Sequence, residues 1–211
     1  MSRDPASSRR DLARVLREIA EPVGPHPLLH AARPASRPVP AAVLVPITCE
    51  ERAEILLTVR HSALRSHPGQ ISFPGGRVDA TDTDVAATAL REAWEEVGIE
   101  PGTVEVLGTL PPYMTGTGYS VVPVLGLIPS HYEYRLARDE VEEVFHVPCE
   151  FLFETGTWET REYEVEGARR AYAEIWFGRY RIWGATAGMI VGLRERLHHH
   201  PAAGVSAEPG K

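Results

Sequence analysis

Cysteine is scarce in this sequence, and long apolar runs are absent. Cys49 and Cys149 are the only cysteines among 211 residues. A disulfide framework or a cysteine-rich zinc site would need more cysteines, at paired spacings. No run of about 18 apolar residues, the length that spans a bilayer, occurs, and the first residues lack the apolar segment of a secretory signal. We therefore expect a soluble protein, cytoplasmic in localisation.

Basic residues are also too few to offset the acidic ones. The chain has 22 Lys and Arg against 29 Asp and Glu, a formal net charge of −7. Proteins that bind nucleic acid or anionic membranes usually carry a basic footprint, so we expect neither partner. The 43% hydrophobic content is ordinary for a globular chain of this length. A small-molecule ligand is the expected partner, and a homodimer stays open.

The order of apolar patterns predicts a mixed α/β domain. Leu12, Val15, Leu16 and Ile19 have helical spacing, and the proline-rich stretch 22–40 follows as a connector. Because strands and helices interleave irregularly, a mixed sheet flanked by helices is expected. We predict a helix and connector over residues 1–40, a single folded domain over 41–198 and a disordered tail over 199–211. Strand-like runs are AAVLVPI, EILLTVR, VEVLGTL and YSVVPVLGLI, ARRAYAEIWFGRYRIWG predicts a hairpin, and ATAGMIVGLRERL predicts a closing helix.

Three glutamates crowd one predicted helix. The stretch FPGGRVDATDTDVAATALREAWEEVGI, residues 73–99, predicts a helix from about residue 84 to 97, with Asp82 or Thr83 as N-cap and Gly98 as C-cap. At about 100° per residue, Glu92, Glu95 and Glu96 project from one face. The predicted apolar stripe consists of Ala86, Leu90, Ala93, Trp94 and Val97.

Such crowding costs stability unless something offsets it. Like charges at this spacing cost about 0.2–0.5 kcal/mol, and carboxylates near a helix C-terminus about 0.3–1 kcal/mol. A solvated acidic face is one interpretation. The other is a divalent-cation site, because hard cations prefer oxygen ligands and the Gly75–Gly76 loop leads into this helix. Arg91 could then hold one glutamate in its ligating rotamer.

The same stretch resembles the Nudix box, G-x5-E-x7-R-E-U-x-E-E-x-G-U, in which U is a bulky apolar residue. The matching positions are Gly76, Arg91, Glu92, Glu95, Glu96, Gly98 and Ile99, with Ala93 as a small substitute at an apolar position. Asp82 stands in place of the first glutamate, with eight residues rather than seven before Arg91. No role is carried over to Asp82.

The preceding stretch, LLTVRHSALRSHPGQISFPGG, is similar to a motif of coenzyme A pyrophosphatases, L-L-T-x-R-[SA]-x3-R-x3-G-x3-F-P-G-G. The matching positions are Leu56, Leu57, Thr58, Arg60, Arg65, Gly69 and residues 73–76. His61 departs from this motif, because its position is usually serine or alanine. Independently of the motif, Arg60 and Arg65 offer guanidinium groups that can bind phosphate oxygens bidentately.

The resemblance implies a Nudix α/β/α sandwich with a mixed β-sheet and a hydrolase that cleaves coenzyme A at its diphosphate. It implies Mg²⁺ or Mn²⁺ as cofactor, held by Glu92 and Glu96, with Glu95 and the Gly76 carbonyl as further ligands. Arg91 and Glu95 are expected to assist catalysis, and Glu140 is a candidate general base. Arg60, Arg65 and Gly69 are the expected substrate-binding residues. Two alternatives stay open, a Nudix hydrolase of another nucleoside diphosphate derivative and a non-catalytic binding protein.

Overall fold

The computed structural model describes residues 5–24, 38–49, 52–64, 67–154, 156–165 and 168–200. The connector that the sequence predicts and the tail beyond residue 200 lie largely outside these ranges. The elements in chain order are α1 (Pro5–Ile19), β1 (Val39–Cys49), β2 (Ala53–Arg60), β3 (Ile71–Ser72), β4 (Gly75–Arg77), α2 (Val85–Val97), β5 (Glu105–Thr109), β6 (Tyr113–Met114), β7 (Tyr119–Ile128), β8 (Val141–Pro148), α3 (Cys149–Phe153), β9 (Trp158–Val165), β10 (Ala168–Phe177), β11 (Tyr180–Trp183) and α4 (Gly184–His199).

The larger sheet is mixed, as predicted. Its strand order is β3-β2-β1-β7-β5, with β4 also paired to β1, β6 to β7 and β8 to β2. β1 runs parallel to β7, and the other pairs in this sheet are antiparallel. Val43 of β1 is opposite Gly75, whereas Ile47 is opposite Ile55 of β2. β1 therefore fixes the glycine loop beside the strand that carries Arg60.

Helices cover both faces of this sheet. Alternate residues of β1 point to opposite sides, as in any strand: Ala42 and Leu44 pack with α2, whereas Val45 and Ile47 pack with α1 and α4. Core positions on α2 are small, including Ala89 and Ala93, which are both fully buried. Small side chains let the helix lie close to the sheet. The α/β/α sandwich is confirmed.

Two parts of the fold go beyond the sequence prediction. No element was predicted for the acidic segment after Pro129, yet Val141–Pro148 forms β8 along β2. A separate three-stranded antiparallel sheet of β9, β10 and β11 contains the predicted hairpin. α4 extends to His199. Among the described residues, no helix has the length and apolarity needed to cross a bilayer.

Helix α2 corrects the prediction at two positions. Its N-cap is Asp84, which accepts a hydrogen bond from Ala87 N at 2.8 Å, rather than Asp82 or Thr83. Trp94 is 44% exposed instead of lying in the apolar stripe, because it follows the buried Ala93 and so lies about 100° around the helix. The guanidinium of Arg135 covers its ring. Gly98 ends the helix in the left-handed conformation, as predicted.

Candidate active site

The glycine loop and α2 meet at two glutamates. Gly75 N donates to Glu96 Oε2 at 3.3 Å. A Cβ on Gly76 would lie 2.4 Å from Glu92 Oε2, and one on Gly75 would lie 2.5 Å from Ala42 O. Both contacts are closer than carbon atoms tolerate. Only glycine lets the loop approach both the strand and the carboxylates.

Burial leaves these carboxylates poorly compensated. Glu96 is 5% exposed, and burial raises its pKa to about 8, against the opposing effects of Arg60 and the Gly75 N–H. Burial also raises the pKa of Glu92, although Arg91 opposes this shift. A carboxylate that loses water and gains few partners favours a cation beside it. The solvated acidic face is therefore the weaker interpretation for Glu92 and Glu96.

Arg91 ties two of the glutamates together. Its Nη1 donates to Glu92 Oε1 at 2.8 Å and to Glu95 Oε2 at 3.2 Å, and its Nη2 donates to the Arg77 carbonyl at 3.1 Å. Glu95 is exposed on the helix surface, with 56% of its side chain accessible. Arg91 therefore fixes the rotamer of Glu92, as the sequence analysis expects.

Asp82 holds Arg91 in turn, a contact that the sequence analysis misses. Arg91 Nε and Nη2 donate to the two carboxylate oxygens of Asp82, each at 3.0 Å. A turn absorbs the extra residue in the spacing: Asp82 N donates to Asp79 O, and Asp79 N donates to Asp82 Oδ2 at 2.8 Å. Burial opposes ionisation of Asp82, yet bonds from Arg91, Asp79 and Thr88 lower its pKa. The sequence did contain a signal for this contact, because Asp82 is an acidic residue close to the position of the first glutamate of the box.

Arg60 reaches the cluster from the end of β2. Its Nη1 lies 4.0 Å from Glu96 Oε1, and its buried Nε finds no hydrogen-bond acceptor within the described residues. Gly69 N donates to the Arg60 carbonyl, and Gly69 is left-handed, with φ 68°. Gly69 thus closes the loop that holds Arg60. The predicted Arg65 lies outside the described residues.

Glu140 comes to the same site from a distant part of the sequence. It is exposed at the turn before β8, and its carbonyl accepts His61 N at 2.8 Å. Burial is the main cause of the raised pKa of Glu92 and of Glu96, and the charge of Glu140 adds to both shifts. Such an effect needs proximity. The charge of the candidate base therefore acts on both the buried Glu96 and the half-buried Glu92.

The segment between β7 and β8 positions Glu140 through backbone hydrogen bonds to the last turn of α2. Arg135 N donates to the Val97 carbonyl at 3.0 Å, and Ala137 N donates to the Glu96 carbonyl at 2.9 Å. Both carbonyls belong to the last turn of the helix, where no helical N–H is available to them. The segment thus satisfies these groups while fixing the distance from α2 to Glu140.

The donor set fits a hard divalent cation that keeps most of its water. Nowhere in the described ranges do three or more His, Cys, Asp or Glu side chains already form a metal site. Mg²⁺ is commonly held by only one or two carboxylates together with waters and substrate phosphates. The buried carboxylate of Glu96 and the carboxylate of Glu92, which abuts Gly76, provide such a pair. A closed site of many protein ligands is not needed.

Comparisons with known proteins identify the family of this chain. A family model described as NUDIX domain matches residues 38–165. An Escherichia coli protein named Uncharacterized Nudix hydrolase NudL is 47% identical over 150 residues, covering 71% of this chain and 78% of its own. A Shigella boydii protein of the same name is 46% identical over the same shares.

Solved structures give the same fold. The crystal structure of a MutT/nudix family protein from Enterococcus faecalis superposes with a TM-score of 0.53 at 18% identity, covering 82% of this chain and 69% of that one. At that identity the likeness concerns the fold alone. The extent of the family match and the identity to the two relatives show that this chain belongs to the Nudix hydrolase family.

Proposed function

We propose that the chain hydrolyses the diphosphate of coenzyme A or its derivatives, with Mg²⁺ or Mn²⁺, to 3',5'-ADP and 4'-phosphopantetheine. The observation that carries the proposal is the position of Arg60. This residue belongs to the motif similar to that of coenzyme A pyrophosphatases, and its guanidinium lies 4.0 Å from the buried Glu96. A cationic fork beside the metal-binding carboxylates suits a diphosphate.

The roles of the residues follow from their contacts. Glu92 and Glu96 would hold the cation, with Gly76 providing a backbone oxygen and Glu95 available for a further ion. When bound, the metal would neutralise phosphate charge and lower the pKa of a water molecule. Arg60, whose side chain is 27% exposed, would bind a phosphate oxygen through its guanidinium group. Glu140 would take the proton of the attacking water.

His61, the departure from the motif, has a local structural explanation. Its Nδ1 accepts a hydrogen bond from Ala63 N at 3.1 Å, and its own N–H donates to Glu140 O. A serine hydroxyl at this position could accept the same short-range bond. His61 therefore gives little support to the alternative in which the pocket has changed to another diphosphate.

A product assay tests the proposal. The full chain is incubated with coenzyme A, ADP-ribose, a nucleotide sugar and a dinucleotide, in Mg²⁺ or Mn²⁺, and the products are identified by mass. We expect coenzyme A to be preferred, with one water added across its diphosphate. In H₂¹⁸O, the labelled product identifies the phosphorus that is attacked. Faster cleavage of another compound would transfer the proposal to that compound, and binding without turnover would favour the non-catalytic alternative.

A further inference from the structure

The three-stranded sheet contacts the larger sheet and its loops at both of its ends. In the β10–β11 turn, Arg179 Nη2 donates to Glu143 Oε1 at 2.7 Å, in the strand that begins after Glu140. At the opposite end, a Cβ on Gly116 in the β6–β7 loop would lie 3.7 Å from the hydroxyl of Tyr163. The sheet thus contacts two segments that lead to the candidate site, one that begins after Glu140 and one that ends at Tyr119, the partner of Arg77.

A third contact comes from the element that follows the sheet. Thr186 Oγ1, in the first turn of α4, donates to the carbonyl of Ile71 in β3 at 2.9 Å. β3 follows the loop that Gly69 closes on Arg60. Most of this accessory unit, β10, β11 and α4, lies beyond residue 165, where the family match ends. Its position suits a role that differs among family members.

The two faces of this sheet are chemically different. Ile175 and Ile182 pair with each other across β10 and β11 and are fully buried in the core. The residues that alternate with them on the other face include four aromatic residues, namely Tyr163, Tyr172, Trp176 and Trp183. An aromatic face on an otherwise polar sheet indicates a binding surface.

Three of the rings form a ladder. Tyr163 and Tyr172 have centroids 5.7 Å apart, Tyr172 and Trp183 have centroids 5.6 Å apart, and both pairs meet edge to face. Arg181 lies 5.2 Å from the Trp183 centroid and donates to the Tyr172 hydroxyl at 3.2 Å. Glu174, 5% exposed, accepts from Arg181 Nε at 2.8 Å. These contacts fix the ladder before a ligand arrives, which lowers the entropic cost of binding.

Tyr163 is the ring of the ladder that lies next to the β6–β7 loop. It is 39% exposed, and a Cβ on Gly116 would come only within van der Waals distance of its hydroxyl, at 3.7 Å. The loop ends at Tyr119, whose hydroxyl accepts Arg77 Nη2 at 2.6 Å. Arg77 directly follows Gly76. The β6–β7 loop therefore connects the exposed ring of Tyr163 with Arg77, at the end of the glycine loop.

We infer that Tyr163 stacks on the nucleobase of the substrate while the diphosphate lies at Glu92 and Glu96. The inference rests on the proposed function and adds the recognition of the base. A nucleobase is planar and stacks on aromatic rings whichever polar groups it carries at its edge. Pantetheine is a flexible, amide-containing chain with no aromatic ring, so it offers this face nothing to stack on. The nucleobase is therefore the part of the substrate that this aromatic face suits.

Binding of the two halves of coenzyme A tests the inference without any turnover. Calorimetry with adenosine 3',5'-diphosphate compares the wild type with Tyr163→Leu, Tyr163→Phe and Trp176→Leu. We expect Tyr163→Leu to raise the Kd about tenfold, in the range of one base–aromatic stack, and Tyr163→Phe to retain wild-type affinity. Trp176 is the matched control, because it is a 53% exposed ring on the same face but outside the ladder.

A second variant guards against a folding defect, which melting temperatures would reveal. Gly116→Leu fills the space opposite Tyr163 and should weaken nucleotide binding in the same way. Affinity for 4'-phosphopantetheine should stay unchanged in all variants. The inference would be overturned if the wild type did not bind the nucleotide, or if Tyr163→Leu bound it as tightly as the wild type. An equal loss of nucleotide affinity in Trp176→Leu would also overturn it, as would a loss of affinity for 4'-phosphopantetheine in place of the nucleotide. Tyr163-dependent binding without cleavage of any diphosphate would reject the proposed function alone.

Discussion

Arg60 and Glu96 face each other across the candidate site, with Nη1 of one 4.0 Å from Oε1 of the other. They come from the end of β2 and the last turn of α2, which the glycine loop separates in sequence. In the absence of a cation, Arg60 is the positive group that partly compensates the buried carboxylate. When a diphosphate binds, the accessible part of the same guanidinium can donate to it, since the Arg60 side chain is 27% exposed. This pair thus joins the proposed metal-binding and substrate-binding parts of the site.

Arg60→Gln should reduce kcat/KM for coenzyme A by about 10- to 100-fold, the range for a hydrogen bond to a charged group. Arg60→Lys should recover only part of this loss, since an ammonium group lacks the planar fork. Steady-state kinetics would measure both. Arg52→Gln is the control, because Arg52 is exposed next to the other end of β2. Full activity in Arg60→Gln would remove Arg60 from the substrate site.

Glu96→Gln should reduce turnover and Mn²⁺ affinity by more than about 100-fold, because a direct ligand matters more than the outer contacts that cost about 10- to 100-fold. Calorimetry on chelator-stripped protein and product assays would measure these losses. Glu95→Gln changes an exposed carboxylate on the same helix, and its effect on the first metal should be smaller. Wild-type metal uptake in Glu96→Gln would reject Glu96 as a ligand.

The stability of the metal-free protein should fall as the pH rises from about 4.5 to about 8. The raised pKa of Glu96 keeps the folded carboxyl protonated up to about pH 8, whereas the unfolded chain ionises near 4.5. The folded state therefore binds more protons in this interval, and each pH unit costs at most about 1.4 kcal/mol of unfolding free energy from this group.

Denaturant titrations from pH 5 to pH 9, in chelator, would measure this slope. Glu96→Gln cannot ionise, so we expect a flatter profile and a higher melting temperature than the wild type at pH 8. Glu95→Gln should keep the wild-type profile. A wild-type stability that rises across this interval would contradict the burial argument, as would equal slopes for the wild type and Glu96→Gln.

Local patterns in the sequence predicted much of this site, and contacts between distant segments account for what they missed. The shared face of the glutamates and the Gly98 cap depend only on neighbouring residues. β8 was not predicted because its acidic residues interrupt the alternation of apolar and polar side chains that marks a strand. Its strand conformation depends on pairing with β2, which is distant in sequence. Asp82 was set aside for its spacing, because a turn that brings it back to Arg91 cannot be read from residue counts. Trp94 faces solvent because the neighbouring Ala93 takes the buried position, and only the guanidinium of Arg135, from another segment, lies over its ring.

Asp82→Ala should weaken metal binding and activity by about 10- to 100-fold, the usual effect of losing an outer-shell partner. The reason is that Arg91 loses both of its bonds to Asp82 and no longer fixes Glu92. Mn²⁺ titration would measure the loss. Asp79→Ala is the control within the same turn, since its side chain bonds to Thr81 rather than to Arg91. Equal defects in the two variants would assign Asp82 to the turn alone.

Glu140→Gln should reduce kcat strongly while leaving KM and metal affinity nearly unchanged, because the amide keeps the shape of the side chain but cannot take a proton. The backbone contact to His61 uses the carbonyl of residue 140 and survives the substitution. Asp139→Asn is the matched control, because it removes one negative charge from the adjacent exposed position. A base also leaves a mark on the pH profile, since kcat should lose its acidic limb in Glu140→Gln. If the profile and kcat instead stay close to those of the wild type, the proton goes to another group, and Glu95, which Arg91 already holds beside Glu92, is the next carboxylate to substitute.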